Sequence, residues 1–262
     1  MGFIQKNGLK YYQFDLFAGF PLFHAILTRH GGFSQQPFDS LNTGGTVGDD
    51  PKAVLANHHK IFNTFGYDFQ SRFDVWQVHG TKIVCSDVPR PLETPHQKAD
   101  GILTDNPQVT LFMRFADCVP ILLYDPILNV IGIVHGGWQG TANEISRIAV
   151  EKLTSCYGTD PASILAGIGP SICQDCYPVG PEVYRAFKAT LGEQAWRYFI
   201  QNDDNLLLDL WQANVDSLKK AGVRQIENAG VCTACMLEDW YSHRGENGKT
   251  GRFAVLMRIE DN

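Results

Sequence analysis

The sequence lacks the features of a membrane, secreted or nucleic-acid-binding protein. No stretch supplies the roughly 20 consecutive apolar residues that a transmembrane helix needs. The N-terminal segment has neither the basic and apolar regions nor the cleavage site of a signal peptide, so we expect a cytoplasmic protein. Basic residues are few: 22 Lys and Arg against 28 Asp and Glu give a net charge of −6. That sign disfavours general binding to nucleic acids or anionic membranes.

The chain also lacks internal repeats, low-complexity tracts and Gly/Ser/Pro-rich linkers, so nothing marks a domain boundary. Its 262 residues are 44% hydrophobic and 11% aromatic, which is ample for a sizeable core. Apolar segments recur evenly along the sequence, from Phe20 to Ile259. We therefore predict one globular domain over residues 1–262.

The periodicity of apolar residues predicts a mixture of strands and helices. Eight segments rich in β-branched and aromatic residues are predicted strands: 22–28, 73–78, 82–85, 109–115, 120–124, 130–135, 164–168 and 253–259. Four segments with helix start and stop signals are predicted helices: 51–65, 141 or 143 to 157, 181–191 and 210–221. The strands within 109–124 and 120–135 are joined by linkers too short for parallel crossovers. The expected class is therefore α+β with mixed or antiparallel sheets.

A cysteine and two histidines lie at the ends of predicted strands. Cys118 begins one apolar strand and His135 ends the next, so an antiparallel pairing would bring them to the same end of the sheet. His79, in the segment WQVHG, ends another predicted strand. Two imidazoles and one thiolate suit zinc, with the fourth position left open for water or substrate. The alternative is that Cys118 is a buried apolar filler and both histidines are core residues.

A glycine-rich turn follows His135 and leads into a predicted helix. Gly136, Gly137 and Gly140 lie in this turn, whose free N–H groups at a positive helix end would favour an anion beside the metal. The alternative is that these glycines only permit tight packing.

Three arginines are candidates for holding a phosphate, because a guanidinium offers a fixed planar set of donors. Arg29 lies at the end of a predicted strand. Arg244 and Arg252 lie at the two ends of a glycine-rich loop near the C-terminus. The alternative is that they only contribute to solubility.

Four of the seven cysteines form two C-x-x-C pairs, Cys173/Cys176 and Cys232/Cys235. Four thiolates at tetrahedral geometry could hold a structural zinc ion. The separation of the pairs argues against such a site, since 55 residues lie between them, compared with about 15–20 in a compact zinc ribbon. Redox activity is also disfavoured, because neither pair opens a helix after a strand.

The sequence resembles the YfiH-like family, also called multicopper polyphenol oxidases or laccase-domain proteins and associated with purine nucleoside metabolism. The resemblance covers nearly the whole chain and rests on motifs that appear in order. These are TRHGGFS (28–34), SLN (40–42), VGDD (47–50), QVHG (77–80), ADG (99–101), ADCVP (116–120), HGGW (135–138), GPSI (169–172), YSHR (241–244) and TGR (250–252).

The resemblance implies a four-layer α/β/β/α sandwich with mixed, largely antiparallel sheets. It implies a zinc site at His79, Cys118 and His135, with zinc favoured over copper. It also implies phosphorolysis of adenosine, inosine, guanosine and S-methyl-5'-thioadenosine, and hydrolytic deamination of adenosine. We assign phosphate or substrate binding to Arg29, Gly136, Gly137 and Arg252.

Three departures from the family pattern affect these phosphate and substrate contacts. Gly136 and Gln139 stand where Ala and Arg are usual, and Pro178 stands where Glu is usual. The segment SHRG (242–245) replaces a Ser-Tyr-Arg-Arg type segment.

Three other functions compete with a zinc enzyme. A metal-free Cys–His hydrolase would use Cys118 as the nucleophile and His79 or His135 as the base, on amide or peptidoglycan-precursor substrates. A multicopper oxidase needs several histidine clusters with His-x-His pairs, and the chain has eight histidines and no such pair. A non-catalytic binding protein is the third. The preferred nucleoside, the general acid or base and the oligomeric state stay open.

Overall fold

The structure is a computed structural model that describes residues 2–203 and 205–260, so that Met1, Asp204, Asp261 and Asn262 lie outside it. The strands are β1 (Gly2–Lys6), β2 (Leu9–Gln13), β3 (Leu22–Leu27), β4 (Arg72–Phe73), β5 (Ile83–Cys85), β6 (Gly101–Thr104), β7 (Thr110–Phe115), β8 (Val119–Asp125), β9 (Val130–Gly136), β10 (Leu165–Ile168), β11 (Pro178–Val179), β12 (Phe199–Asn202), β13 (Asn205–Leu208), β14 (Gln225–Asn228) and β15 (Phe253–Ile259). The helices are α1 (Pro51–Phe65), α2 (Trp138–Ala142), α3 (Ile145–Tyr157), α4 (Pro181–Leu191) and α5 (Leu210–Lys220).

The strands form two six-stranded sheets and one three-stranded sheet. The first sheet has the order β1-β2-β3-β15-β7-β4, and the second has the order β14-β10-β8-β9-β6-β5. The third has the order β11-β13-β12. The pairs are antiparallel except β4 with β7, β5 with β6 and β10 with β14. The predicted α+β class with mixed, largely antiparallel sheets is confirmed.

Three apolar clusters stack the elements in layers. Helix α1 packs on the outer face of the first sheet through a cluster that contains Phe62, Phe112 and Leu256. The facing sides of the two large sheets meet in a second cluster, which contains Met257 and Ile133. A third cluster joins α3, α4 and α5 to the outer face of the second sheet. The order helix, sheet, sheet, helix is the predicted four-layer arrangement.

The helices follow their capping signals. The Asp50 carboxylate accepts a hydrogen bond from the Lys52 N–H at the start of α1, and Gly66 ends the helix in the left-handed region. Asp209 caps α5 in the same way. The predicted helix from 141 or 143 to 157 is instead two helices, α2 and α3. Glu144 separates them because its backbone lies at φ 57°, outside the helical region.

Two of the strand predictions need correction. The predicted hairpin of β8 and β9 is present, but β7 and β8 do not pair: they belong to different sheets. Asp117, at φ 77°, redirects the chain between them. The predicted strand 73–78 ends at Phe73, and Trp76 makes only an isolated bridge with Lys98. His79 therefore lies in a loop rather than at the end of a strand.

Several strands of the structure were not predicted from the sequence. Some are short and polar, such as β14 with the sequence QIEN, so alternation gives no signal there. Across residues 2–203 and 205–260, the helices are all too short or too polar to span a membrane.

Candidate metal-binding active site

The structure brings the three predicted metal ligands together. One donor atom each from His79, Cys118 and His135 lies within 4.8 Å of the other two. The pairing of β8 with β9 explains why Cys118 and His135 meet. Pro120 lies opposite His135 in this pair, and Cys118 is two residues before Pro120. His79 reaches the same point from its loop, and the two imidazole centroids are 4.9 Å apart.

The loop that carries His79 is fixed by a buried carboxylate. Asp100 accepts hydrogen bonds from the backbone N–H groups of Val78 at 3.1 Å, His79 at 2.8 Å and Gly80 at 2.7 Å. These bonds stabilise the loop although His79 lies at φ 60°, a region that costs a non-glycine residue free energy. The backbone conformation that aims the His79 side chain thus depends on Asp100.

The same carboxylate orients His135. An Asp100 oxygen lies 2.9 Å from Nδ1 of His135, and the His135 N–H donates to the Asp100 carbonyl at 2.7 Å. With Nδ1 bound in this way, Nε2 is left for a ligand, as in most metal-binding histidines. The sequence analysis gave Asp100 no role. The only trace of it in the sequence was its place in the family-like segment ADG (99–101).

Cys118 and His135 alter each other's ionisation. Burial raises the pKa of the Cys118 thiol, but the positive charge of His135 and hydrogen bonds from both histidines outweigh it and lower the pKa to about 6. Burial lowers the pKa of His135, and the Cys118 and Asp100 charges outweigh that effect and raise it to about 9. The environment therefore favours a thiolate at Cys118, the form that binds metals and acts as a nucleophile.

Gly137 lies against all three candidate ligands. A Cβ added there would come within 2.8 Å of His79 Cδ2, 3.2 Å of Cys118 Sγ and 3.7 Å of His135 Cε1. A side chain would therefore clash with the candidate ligands, and glycine lets the backbone pass close to their donor atoms. A Cβ at Gly136 would instead meet Asn214 at 3.2 Å.

The three predicted arginines are placed differently. The Arg29 guanidinium donates to the carbonyls of Asp39 and Leu237 and to the Glu246 carboxylate, at 2.8–3.0 Å. It lines a cavity of about 410 Å³ whose lining residues do not include the three candidate ligands. All three arms of this guanidinium face protein groups, since Nη2 lies 3.7 Å from the Asp39 carboxylate.

Arg252 is closer to the three ligands. Burial lowers the pKa of its guanidinium, and the charges of Cys118 and Asp117 act in the opposite direction. Its Nη1 donates to the carbonyls of Thr250 and Gly251. Within residues 2–203 and 205–260, its Nε and Nη2 donate no hydrogen bond to a protein group, which leaves them available to an anion.

Arg244, the third predicted arginine, lies beside Tyr177, a residue that was not predicted from the sequence. Tyr177 lies near Cys118, since the Cys118 charge adds to burial in raising the pKa of its phenol. The Arg244 guanidinium carbon lies 5.1 Å from the Tyr177 ring centroid, and its Nη1 donates to the Pro178 carbonyl at 2.6 Å. Asp117 holds the segment that contains Thr233 and Arg244. Its carboxylate accepts hydrogen bonds from Thr233 Oγ1 at 2.7 Å and from the Arg244 N–H at 2.6 Å.

The two C-x-x-C pairs also meet, contrary to our inference from their separation. One sulfur atom from each of Cys173, Cys176, Cys232 and Cys235 lies within 4.8 Å of the other three. The reason is the parallel pairing of β10 with β14, which makes the segments after these strands run side by side. The 55 residues between the pairs leave the sheet and return to it.

Comparisons with known proteins agree with this architecture. Residues 23–260 match the family described as multi-copper polyphenol oxidoreductase laccase. The chain is 37% identical over 242 residues to purine nucleoside phosphorylase YlmD of Bacillus subtilis, covering 89% of this chain and 87% of that protein. It is 33% identical over 234 residues to purine nucleoside phosphorylase YfiH of Escherichia coli, covering 88% and 90%.

Two solved structures have the same fold as this chain. The crystal structure of the hypothetical protein YfiH from Bacillus licheniformis matches with a TM-score of 0.91 at 31% identity, covering 98% of this chain and 99% of that one. The structure of YlmD from Geobacillus stearothermophilus matches with a TM-score of 0.91 at 31% identity, covering 99% of both chains. By sequence and by fold, this chain therefore belongs to the multi-copper polyphenol oxidoreductase laccase family, with the YfiH and YlmD proteins as relatives.

Proposed function

We propose that this chain is a zinc-dependent purine nucleoside enzyme with two reactions. One is the phosphorolysis of adenosine, inosine, guanosine and S-methyl-5'-thioadenosine, and the other is the hydrolytic deamination of adenosine. The observation that carries the proposal is the convergence of His79, Cys118 and His135 around Gly137. The names of the relatives, which are purine nucleoside phosphorylases, supply the substrate class.

The donor set fits a catalytic zinc ion. Two histidines and one thiolate are three protein ligands of the kinds that zinc prefers, and a fourth position is left for substrate or water. Zinc held there would act as a Lewis acid and make water a stronger nucleophile at neutral pH. Zinc is proposed over copper because multicopper chemistry requires several histidine-rich sites, and this cluster has two histidines.

Phosphorolysis requires a positioned anion. A phosphate oxygen bonds to C1′ of the ribose while the bond from C1′ to the purine nitrogen breaks, and the purine leaves with that electron pair. The free guanidinium arm of Arg252, near Cys118, supplies donors and positive charge for the phosphate. Gly137 has no side chain that would displace the three ligands, which lie against its backbone.

Deamination uses water in place of phosphate. Oxygen from water replaces the amino group at C6 of the purine, and ammonia leaves. The Asp100 carboxylate keeps a proton at Nδ1 of His135, which fixes the orientation of the ring facing the substrate. The two reactions share the site and differ in their need for phosphate, which allows them to be measured separately.

A metal-free Cys–His hydrolase is the second candidate. The charge pairing between Cys118 and His135 favours it, because an activated nucleophile needs a thiolate beside a base. Such an enzyme would act on amide or peptidoglycan-precursor substrates. It would keep its activity in the presence of a metal chelator and lose it after alkylation of Cys118.

The test is chromatographic analysis of products from zinc-loaded protein incubated with adenosine, with and without phosphate. We expect adenine and ribose 1-phosphate only with phosphate, and inosine without it. Cys118→Ala should give neither product, whereas the control Cys156→Ser removes an exposed thiol and should give both. Absence of both products from zinc-loaded protein would overturn the proposal, and chelator-resistant amide hydrolysis would establish the second candidate.

A further inference from the structure

The four cysteines of the C-x-x-C pairs form a cluster, called here the thiol cluster, outside the candidate active site. Its members, Cys173, Cys176, Cys232 and Cys235, are all free thiols. The Sγ atoms of Cys176 and Cys235 are 3.3 Å apart, and the Cys173 N–H points at the Cys232 sulfur at 3.3 Å. Each sulfur lies within 4.8 Å of the other three. Two disulfides would need each sulfur to be close to only one partner.

Backbone pairing holds the cluster in register. Ser171 and Cys232 form a parallel bridge, in which the Ser171 N–H donates to the Val231 carbonyl and the Thr233 N–H to the Ser171 carbonyl, both at 3.1 Å. A short 3-10 turn, Gln174–Cys176, then brings Cys176 back beside Cys173. The arrangement of the four sulfurs is therefore built by the fold and does not depend on flexible side chains alone.

We propose that the thiol cluster is a structural zinc site, separate from the His79, Cys118 and His135 site. Four thiolates around one zinc ion at about 2.3 Å place the sulfurs about 3.8 Å apart. The observed sulfurs all lie within 4.8 Å of one another, and those of Cys176 and Cys235 are 3.3 Å apart, so small side-chain movements close the tetrahedron. Cys235 is exposed, which gives the metal a route from solvent.

The position of the cluster gives the zinc ion a structural role. It ties residues 171–179 to residues 231–244, two segments that approach Cys118 and its neighbour Asp117. Tyr177 lies on the first segment and Arg244 on the second, and they contact each other. Thr233, next to Cys232, donates to Asp117. Loss of the metal would therefore loosen the groups around the substrate, a consequence that rests on the proposed function although the metal site itself does not.

Metal analysis tests the proposal directly. Zinc is measured by inductively coupled plasma mass spectrometry in the full chain and in two variants, Cys118→Ala and the double variant Cys176→Ser/Cys235→Ser. We expect two zinc ions per chain in the wild type and one in each variant. The Cys118→Ala protein loaded with Co²⁺ should show the strong sulfur-to-cobalt charge-transfer absorption of a tetrathiolate site. That readout stays valid even if the chain has no activity on nucleosides.

Three results would overturn the zinc assignment. One is a Cys118→Ala protein without zinc, and another is iron in place of zinc in that protein. The third is an intact mass that is lower by the hydrogens of two disulfides after purification under air-free conditions. If the double variant does not fold, the Cys118→Ala protein still decides the matter: titration with a mercurial should release one zinc ion per chain as the four cluster thiols react, in addition to the exposed Cys156.

Kinetics distinguish a role of the zinc ion in positioning Tyr177 and Arg244 from a general loss of stability. In the double variant, the KM for adenosine should rise at least about fivefold while kcat changes less, because Tyr177 and Arg244 lie on the loosened segments. The control Cys156→Ser should keep both the zinc count and KM. An unchanged KM in a folded, zinc-depleted double variant would remove the positioning role.

Discussion

Nδ1 of His135 lies 2.9 Å from the Asp100 carboxylate, and this one contact links the second sheet to the loop that carries His79. The same carboxylate oxygen accepts the backbone N–H of His79 at 2.8 Å. A movement of Asp100 would therefore displace both imidazoles together. The distance between the two histidine donors is set by a residue that does not itself belong to the cluster.

Asp100→Asn tests this link. An amide at this position has one acceptor oxygen, so it cannot serve both the His135 Nδ1 proton and the three backbone N–H groups. We expect the affinity for zinc and kcat/KM for adenosine to fall by about 10- to 100-fold, as for other groups that orient metal ligands. Chelator competition measures the affinity, and steady-state kinetics measures the activity.

Asp125→Asn is the matched control. Asp125 is another buried carboxylate of the second sheet, and it accepts hydrogen bonds from the N–H groups of Ile127 and Leu128 at the far end of the β8–β9 hairpin. It should lower stability without changing zinc affinity. Equal losses of zinc affinity in both variants would mean that Asp100 acts through general stability.

The sequence could predict those parts of the site that depend on local structure. Cys118 directly precedes β8 and His135 lies near the end of β9, so their juxtaposition follows from the short linker of one hairpin. The helix ends were also predictable, because Asp50 and Gly66 cap the helix that lies between them in the sequence.

Long-range pairing was not predictable. The role of Asp100 requires β6 to lie beside β9, and the thiol cluster requires β10 to lie beside β14. The assignment of β7 and β8 to different sheets depends on Asp117, whose left-handed backbone is stabilised by groups more than 100 residues away. No local pattern in the chain encodes these contacts.

Gly137→Ala tests the close approach of the Gly137 backbone to the candidate ligands. The backbone of Gly137 lies at φ −73°, which alanine adopts without strain, so the effect of the variant is steric. The new methyl group would lie 2.8 Å from His79 and 3.2 Å from Cys118 and would push them apart. We expect kcat/KM for adenosine to fall at least about tenfold, because small displacements of reacting groups are costly.

Gly45→Ala is the control for this variant. A Cβ at Gly45 would meet nothing within 4 Å, and its backbone is not in the left-handed region. Its kinetics should match those of the wild type. Wild-type kinetics in Gly137→Ala would mean that the close approach of this backbone to the three ligands is not needed for the reaction.

Two arginine variants decide which guanidinium contacts phosphate. Arg252→Met removes a group with a free arm near Cys118, and we expect the KM for phosphate to rise at least about tenfold with a smaller effect on deamination. Arg29→Met removes a guanidinium bonded to Asp39, Leu237 and Glu246, and should cost about 3 kcal/mol of unfolding free energy.

Steady-state kinetics with varied phosphate, together with urea unfolding, separates the two outcomes. A selective rise in the KM for phosphate in Arg29→Met would assign the phosphate contact to Arg29. Loss of both reactions to the same extent in Arg252→Met would exclude Arg252 as a specific phosphate contact.

The stability of the fold should fall as the pH drops below about 6.5, because His58 is buried in its neutral form. Its Nε2 donates to the Thr43 carbonyl at 2.9 Å, and its Nδ1 accepts a hydrogen bond from Arg72 at 3.0 Å. A second proton on the ring would bind at Nδ1 and would break the hydrogen bond from Arg72. Burial and the nearby charges of Arg114 and Arg72 lower the pKa of His58 to about 3, although the hydrogen bond to Thr43 and the charge of Asp74 oppose the shift.

The sign follows from proton linkage. In the unfolded chain a histidine titrates at its ordinary pKa near 6.5, so below that pH the unfolded state binds a proton that the folded state excludes. The stabilising effect of neutral His58 is complete above pH 6.5 and is lost as the pH falls toward 3. The expected slope is roughly 1.4 kcal/mol per pH unit for each such histidine. His24, whose pKa burial lowers to about 3, adds a second contribution.

Urea unfolding at pH values between about 7 and 5 measures the slope in the wild type and in His58→Gln. A glutamine amide offers a donor for Thr43 and an acceptor for Arg72 but does not titrate in this range. The variant should therefore be less stable at neutral pH and lose about half of the pH dependence, since His24 remains. An unchanged slope in the variant would show that His58 does not contribute to the acid sensitivity of the fold.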